Sequence, residues 1–170
     1  RAPRQWEERF GEHAYLPLGE AAIAEALKQA GVTAQAIDHL VVAGPHGRAV
    51  KRLAAGAGTK PGALADDLTG VIGNTGTAHA GVLLADALDR AKPDDLIAVV
   101  SLADGADVTI WKATAAVAAR RPAATVAQQA ANGRPVPYTT FLTWRGFLDR
   151  EPPRRPDPQP PAAPPAFRAE

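Results

Sequence analysis

Three short segments carry residue types that can do chemistry, and each is a polar or Gly-rich turn beside an apolar run. The first is Ala43-Gly44-Pro45-His46-Gly47-Arg48. A histidine between Pro and Gly, after a strand and before a helix, can donate to a carbonyl oxygen or shuttle a proton near neutral pH. Lys51 and Arg52 follow within one to two turns and can reach a phosphate; a turn histidine with solvated basic neighbours is the plainer alternative. The second is Gly73-Asn74-Thr75-Gly76. Its glycines permit a tight backbone path and close approach of a ligand, and the Asn74 amide can donate to a substrate oxygen. Thr75 or Thr77 can cap the helix that follows, and a capped helix start is the alternative. His79, further in, reads as a packing or capping residue. The third is Ser101-Leu102-Ala103-Asp104-Gly105-Ala106, whose main-chain N–H groups can form part of an oxyanion hole or simply close a turn.

The elements that position these turns follow from hydrophobic patterning. Ile23, Ala26, Leu27 and Ala30 have helical spacing and Gly31 follows as a stop, which predicts a helix over 19–30. IDHLVVAG is a short apolar run ending in Gly-Pro, a buried strand. Short helices are expected over 48–55 and 61–68, and the strongest helix over 77–91, with Leu84 and Leu88 on one stripe. Residues 96–101 and 108–113 are two apolar strands joined by too few residues for a crossover helix, so they form an antiparallel hairpin. The Ala-rich stretch 117–131 is expected to be partly helical, with a break near Pro122. Residues 138–148 read as an ordered surface strap. Half of the 16 prolines lie between Pro152 and Pro165, where the chain is expected to be an extended polyproline II spacer with the folded part ending near Arg150. The order predicts an α/β fold: a layered, mixed sheet with helices packed on it and a Pro-rich C-terminal extension. The domain division is 1–134 and 135–170. No G-x-G-x-x-G spacing marks a dinucleotide site.

Composition narrows the function classes. The chain has 170 residues, one domain of ordinary size. Lys and Arg number 19 and Asp and Glu 18, and that balance gives no electrostatic argument for nucleic acid or an anionic membrane. There is no cysteine, so disulfides, thiolate metal sites and a cysteine nucleophile within these residues are excluded. No metal ligand set is expected. No apolar run reaches the ~18–20 residues of a membrane span, and a soluble cytoplasmic protein is expected. The chain has no Met and begins at Arg1, while residues 6–10 read as ordered protein, so a partner segment upstream is expected.

The order and spacing of the three turns resemble the C-terminal half of the thiolase-like condensing enzymes. The likeness is greatest to the branch with hydroxymethylglutaryl-CoA synthase and β-ketoacyl-acyl-carrier-protein synthase III. VIGNTGTAHAGVLLADAL is similar to the family's GNTG-A-S helix start, and SLADGADV to its S-[YF]-G-S-G-A hairpin; the resemblance covers 6–114. It implies an acyl-CoA C–C bond-forming or C–C-cleaving acyltransferase of lipid metabolism, with a CoA thioester as substrate and no cofactor in this chain. It implies that His46 assists carbon–carbon chemistry at the acyl carbonyl and that Asn74 shares that oxygen. It implies that the Asp104 N–H belongs to the oxyanion hole. Lys51 is implied near the CoA phosphates, with Arg48, Gly73 and Gly76 as further binding positions. Ala103 and Asp104 stand where the family has small Gly or Ser residues, and Gly-Arg follows the histidine in place of Pro-Phe. The family's nucleophile is a cysteine in the other half, so a Cys-bearing N-terminal half is an implied partner, in a dimer. The segment from Pro135 onward looks like the connector to a zinc-ribbon/OB-fold module, a further implied partner. A non-catalytic thiolase-like scaffold subunit, or an α/β domain with an unrelated small-molecule site, are the rival readings.

Overall fold

The computed structural model describes residues 8–119 and 122–148. The expected polyproline spacer, the end of the folded part near Arg150 and residues 6 and 7 lie outside them. The chain divides into two compact units between Gly133 and Arg134.

The first unit is built on a three-stranded mixed sheet in the order β1-β2-β3. β1 (His39–Ala43) runs parallel to β2 (Leu96–Leu102), and β2 runs antiparallel to β3 (Ala106–Lys112). β2 lies between two partners and is apolar nearly throughout, with Ile97 and Val100 fully buried. β3 is an edge strand and alternates between half-buried and exposed residues along most of its length, as one covered face requires.

Helices cover both faces. α1 (Glu8–Ala30) and α2 (Gly47–Gly56) pack on one, where Tyr15, Leu16, Ile23 and Leu27 meet a core of Leu40, Val42, Leu53, Ala98, Val100 and Leu102. α4 (His79–Arg90) packs on the other through Leu83 and Ala87, against Val41, Ile97 and Val99. Two of α1's glycines make its approach possible. A Cβ on Gly19 would sit 2.4 Å from Leu53 Cδ2, and one on Gly11 would sit 2.6 Å from His46 Nδ1. The expected helix over 19–30 is thus the second half of a longer one that continues through Pro17.

Most of the predicted elements occur, and the exceptions have physical causes. The stretch 61–68 is not helical. Leu40 N–H donates to Ala63 O at 2.7 Å, and Ala65 N–H donates to Leu40 O at 2.8 Å, so this segment lies along the open edge of β1. Unpaired edge groups outweigh a weak local helix preference. Asp66 and Asp67 then accept from the N–H groups of Leu68 and Thr69, turning the chain into the short α3 (Thr69–Ile72). The helix expected from Thr77 starts at His79, after a 3-10 turn over Gly76–Ala78. The Ala-rich stretch contains α5 (Ala116–Ala119) and α6 (Val126–Ala131), the latter opened by a Thr125–Gln128 capping box. In the second unit, the expected strap is instead helical over α7 (Tyr138–Trp144), where Pro137 supplies the start and Thr143 Oγ1 bonds back to Thr139 O. Among the described residues no helix is long and apolar enough to cross a membrane.

Candidate functional site

The register Ala43↔Ser101 puts the C-terminal ends of the parallel strands β1 and β2 side by side. β1 leaves the sheet there, β2 turns back into β3, and the start of α4 arrives beside them. Loops at this end of parallel strands are where α/β folds place ligands. A cavity of about 650 Å³ occupies the junction, lined by all three turn regions and by Tyr15 from α1.

His46 is the residue that opens α2, in an extended conformation with its carbonyl accepting from Val50 N–H. Its side chain is buried, 3% exposed, yet it lines the cavity. Gly11 lies against the Nδ1, Cε1 and Cγ atoms of the ring, and Nδ1 is buried with no hydrogen-bond partner. Nε2 is not among the buried atoms left without a partner. Tyr15 packs on the same imidazole with ring centroids 5.1 Å apart and planes tilted by 44°. A buried N–H without an acceptor is tolerated less well than a buried lone pair without a donor. A neutral ring here therefore carries its proton on Nε2.

Asn74 lines the same cavity. Its Nδ2 donates to Gly44 O at 3.0 Å, and its Oδ1 accepts from Gly76 N–H at 2.8 Å. The side chain thus ties the turn after β1 to the entrance of α4, and one Nδ2 proton remains uncommitted. Gly76, with φ +66, also lines the cavity in a conformation that glycine adopts without strain.

Other sequence-nominated positions fall elsewhere. Asp104 is exposed on the hairpin turn and is not part of the lining; Ala103 is, and its N–H is bonded to Gly105 O at 2.9 Å. Gly73 ends α3 with φ +69 and stands outside the lining. Lys51 is exposed on α2, also outside it. Arg48 is held by Glu12, whose other oxygen takes Arg52 Nη1 at 3.0 Å. Glu12 is 5% exposed, and this buried carboxylate clamps α1 to α2 with both arginines. Neither arginine lines the cavity.

Two contributors escaped the sequence, and a third, His79, was expected only to pack or cap. Glu12 and Tyr15 lie in a stretch with no periodic signal pointing to His46, and only the packing of α1 brings them there. His79 is 3% exposed and lines the cavity. Its Nδ1 meets Thr75 N–H at 3.4 Å and Thr75 Oγ1 at 3.3 Å. A His five residues after Asn74, across the helix start, was the available signal. Among the described residues no cluster of three or more His, Asp or Glu side chains is arranged to hold a metal ion.

Comparison of the chain with protein-family models finds no match, and comparison with curated proteins finds none either.

Proposed function

We propose that this chain supplies the carbonyl-polarising half of a thiolase-like acyl-CoA active site, which forms or cleaves a carbon–carbon bond. The observation that carries the reading is the convergence of His46 and Asn74 on one cavity at the ends of β1 and β2. Two neutral donors, Nε2–H and an amide N–H, are what an enolate or alkoxide oxygen requires as it gains charge. His46 is buried, and Asn74, though exposed, is held by its two hydrogen bonds, so both donors are oriented before charge develops. In this reading the thioester carbonyl of the second substrate sits between them. As the α-carbon loses a proton, carboxylate or acyl group, the electron pair moves onto the carbonyl oxygen and the two donors hold it. The acyl group being transferred is carried by a cysteine of a Cys-bearing half, since this chain has no cysteine. The site would work in the cytoplasm, in a dimer, with a zinc-ribbon/OB-fold module as a further domain or a separate subunit. Lys51 and Arg48 are weaker parts of the reading, because neither lines the cavity.

The test is kinetic. In the enzyme reconstituted with the Cys-bearing half, His46→Ala is expected to lower kcat for the carbon–carbon step by about 10²–10³, with acyl transfer to the cysteine kept. Unchanged carbon–carbon chemistry in a folded variant removes His46 from the mechanism.

One observation favours a second reading, a non-catalytic thiolase-like scaffold subunit. The hairpin-turn residue that lines the cavity, Ala103, has its N–H committed to Gly105 O and offers no oxyanion-hole donor. A companion half with the cysteine replaced would select that reading.

A further inference from the structure

We infer that His79 is a second imidazole donor of the cavity, and that Thr75 positions it; the inference rests on the acyl-thioester reading above. The argument begins with its hydrogen bonds. A backbone N–H can only donate, so Thr75 N–H at 3.4 Å requires a lone pair on His79 Nδ1. The Thr75 hydroxyl, 3.3 Å from the same atom, is then a second donor to it. The neutral ring must therefore carry its proton on Nε2. The ring is 97% buried by its 3% exposure, yet Nε2 is not among the sealed, unpartnered atoms, and among the described residues nothing bonds to it. Since His79 lines the cavity, that N–H is available to a ligand there.

The surroundings specify what the ligand offers. The polar side chains lining the cavity are hydroxyls, an amide and two imidazoles, and no carboxylate is among them. Each of these groups can donate to an oxygen acceptor. His79 also opens α4, whose first-turn dipole favours partial negative charge at that end. His46 and Asn74 are assigned to the thioester carbonyl, and His79 supplies a further N–H to an oxygen of the same acyl thioester. Thr75 acts only through His79: it sets the ring's tautomer and makes no contact of its own with the ligand.

Two substitutions at one position separate this role from packing. The amide nitrogen of glutamine reaches the place of Nε2, whereas asparagine reproduces only the Nδ1 side. With acetyl-CoA as probe and the full chain, His79→Gln is expected to bind within about threefold of the unaltered protein. His79→Asn is expected to lose about tenfold, the scale of one hydrogen bond left unmade. A capping or packing role gives the reverse order, with His79→Asn retaining binding, and that result overturns the inference. Equal binding by both variants also overturns it and leaves the functional reading standing. If acetyl-CoA does not bind the unaltered chain, the reading falls and this inference with it. A long-range proton–nitrogen NMR spectrum of the unaltered protein gives an answer that needs no folded variant. His79 Nδ1 is expected to be unprotonated and Nε2 protonated, with Thr75→Val moving population toward the other tautomer. A protonated Nδ1 in the unaltered protein refutes the assignment.

Discussion

Replacing Gly11 by alanine tests whether α1 is the wall that holds His46. The added methyl would stand 2.6 Å from Nδ1, 2.8 Å from Cε1 and 2.9 Å from Cγ of the imidazole, all closer than the 3.0 Å that real Cβ atoms respect. The ring cannot yield freely, because it is 3% exposed and Tyr15 packs on it. α1 cannot yield freely either, because the neighbouring Glu12 is bound by Arg48 and Arg52 of α2. Overpacking of this kind costs about 1–3 kcal/mol. Alanine gains about 0.5–1 kcal/mol over glycine in a helix, which offsets part of that. Gly81 provides the control: it lies in the first turn of α4, it is exposed, and an added Cβ meets nothing within 4 Å. Gly81→Ala should therefore collect the helix gain alone. The difference between the two variants cancels that gain and leaves the clash, about 1–3 kcal/mol. Urea unfolding followed by circular dichroism measures both, at constant m-value. A Gly11→Ala protein within about 0.5 kcal/mol of Gly81→Ala would refute the packing of α1 on the histidine, since that is below the least overpacking cost.

Two further outcomes can be checked. Asn74→Ala removes both the bond to Gly44 O and the one from Gly76 N–H, at exposed positions, so a loss of about 1 kcal/mol is expected, with faster amide exchange at Gly76; unchanged exchange there would remove Asn74 as the tie between the two turns. For Asp38, burial raises the pKa, but the Lys60 ammonium bond, the Leu96 N–H and the charges of Lys60 and His39 outweigh it and hold the carboxyl below 3.8. Its folded pKa is depressed, so its contribution to stability is present above pH 3.8 and is lost as pH falls through the lowered folded value. Acid titration of unfolding stability should therefore be flatter below that pH in Asp38→Asn than in the unaltered protein, and identical slopes would contradict the assignment.

The legible parts of this protein are those whose cause is local. The run IDHLVVAG is short, apolar from Leu40 to Ala43 and ends in Gly-Pro, which reads as a buried strand, and the pair of apolar runs around ADGAD, joined by too few residues for a crossover helix, folds back on itself. The structure has both. The Ala-rich stretch 117–131 is partly helical, as its composition suggests, with α6 opened by a Thr125–Gln128 capping box. Residues 61–68 were illegible because their conformation answers a demand from elsewhere, the unpaired edge at Leu40. Residues 8–18 were illegible as part of α1 because Pro17 argues against a helix locally, while Tyr15 and Leu16 gain burial against the core only if the helix runs on.

The candidate site divides in the same way. His46, Asn74 and the 101–106 turn could be named from the sequence because each sits at an element end, where a Gly or Pro marks the chain reversal. Which of them meet is a tertiary matter. The Ala43↔Ser101 register and the Asn74–Gly44 bond bring His46, Asn74 and Ala103 to one cavity, while Asp104, one residue along the turn, is left facing outward. The sequence by itself determined the strands, α2, α4 and the candidate side chains, because periodicity and turn chemistry act within a few residues. Only the folded chain decided that Glu12 would occupy the arginines and that Gly11 and Tyr15 would enclose the His46 imidazole. Those outcomes depend on groups up to 40 residues apart, whose meeting is set by how α1, α2 and α4 pack on the sheet and by no local preference.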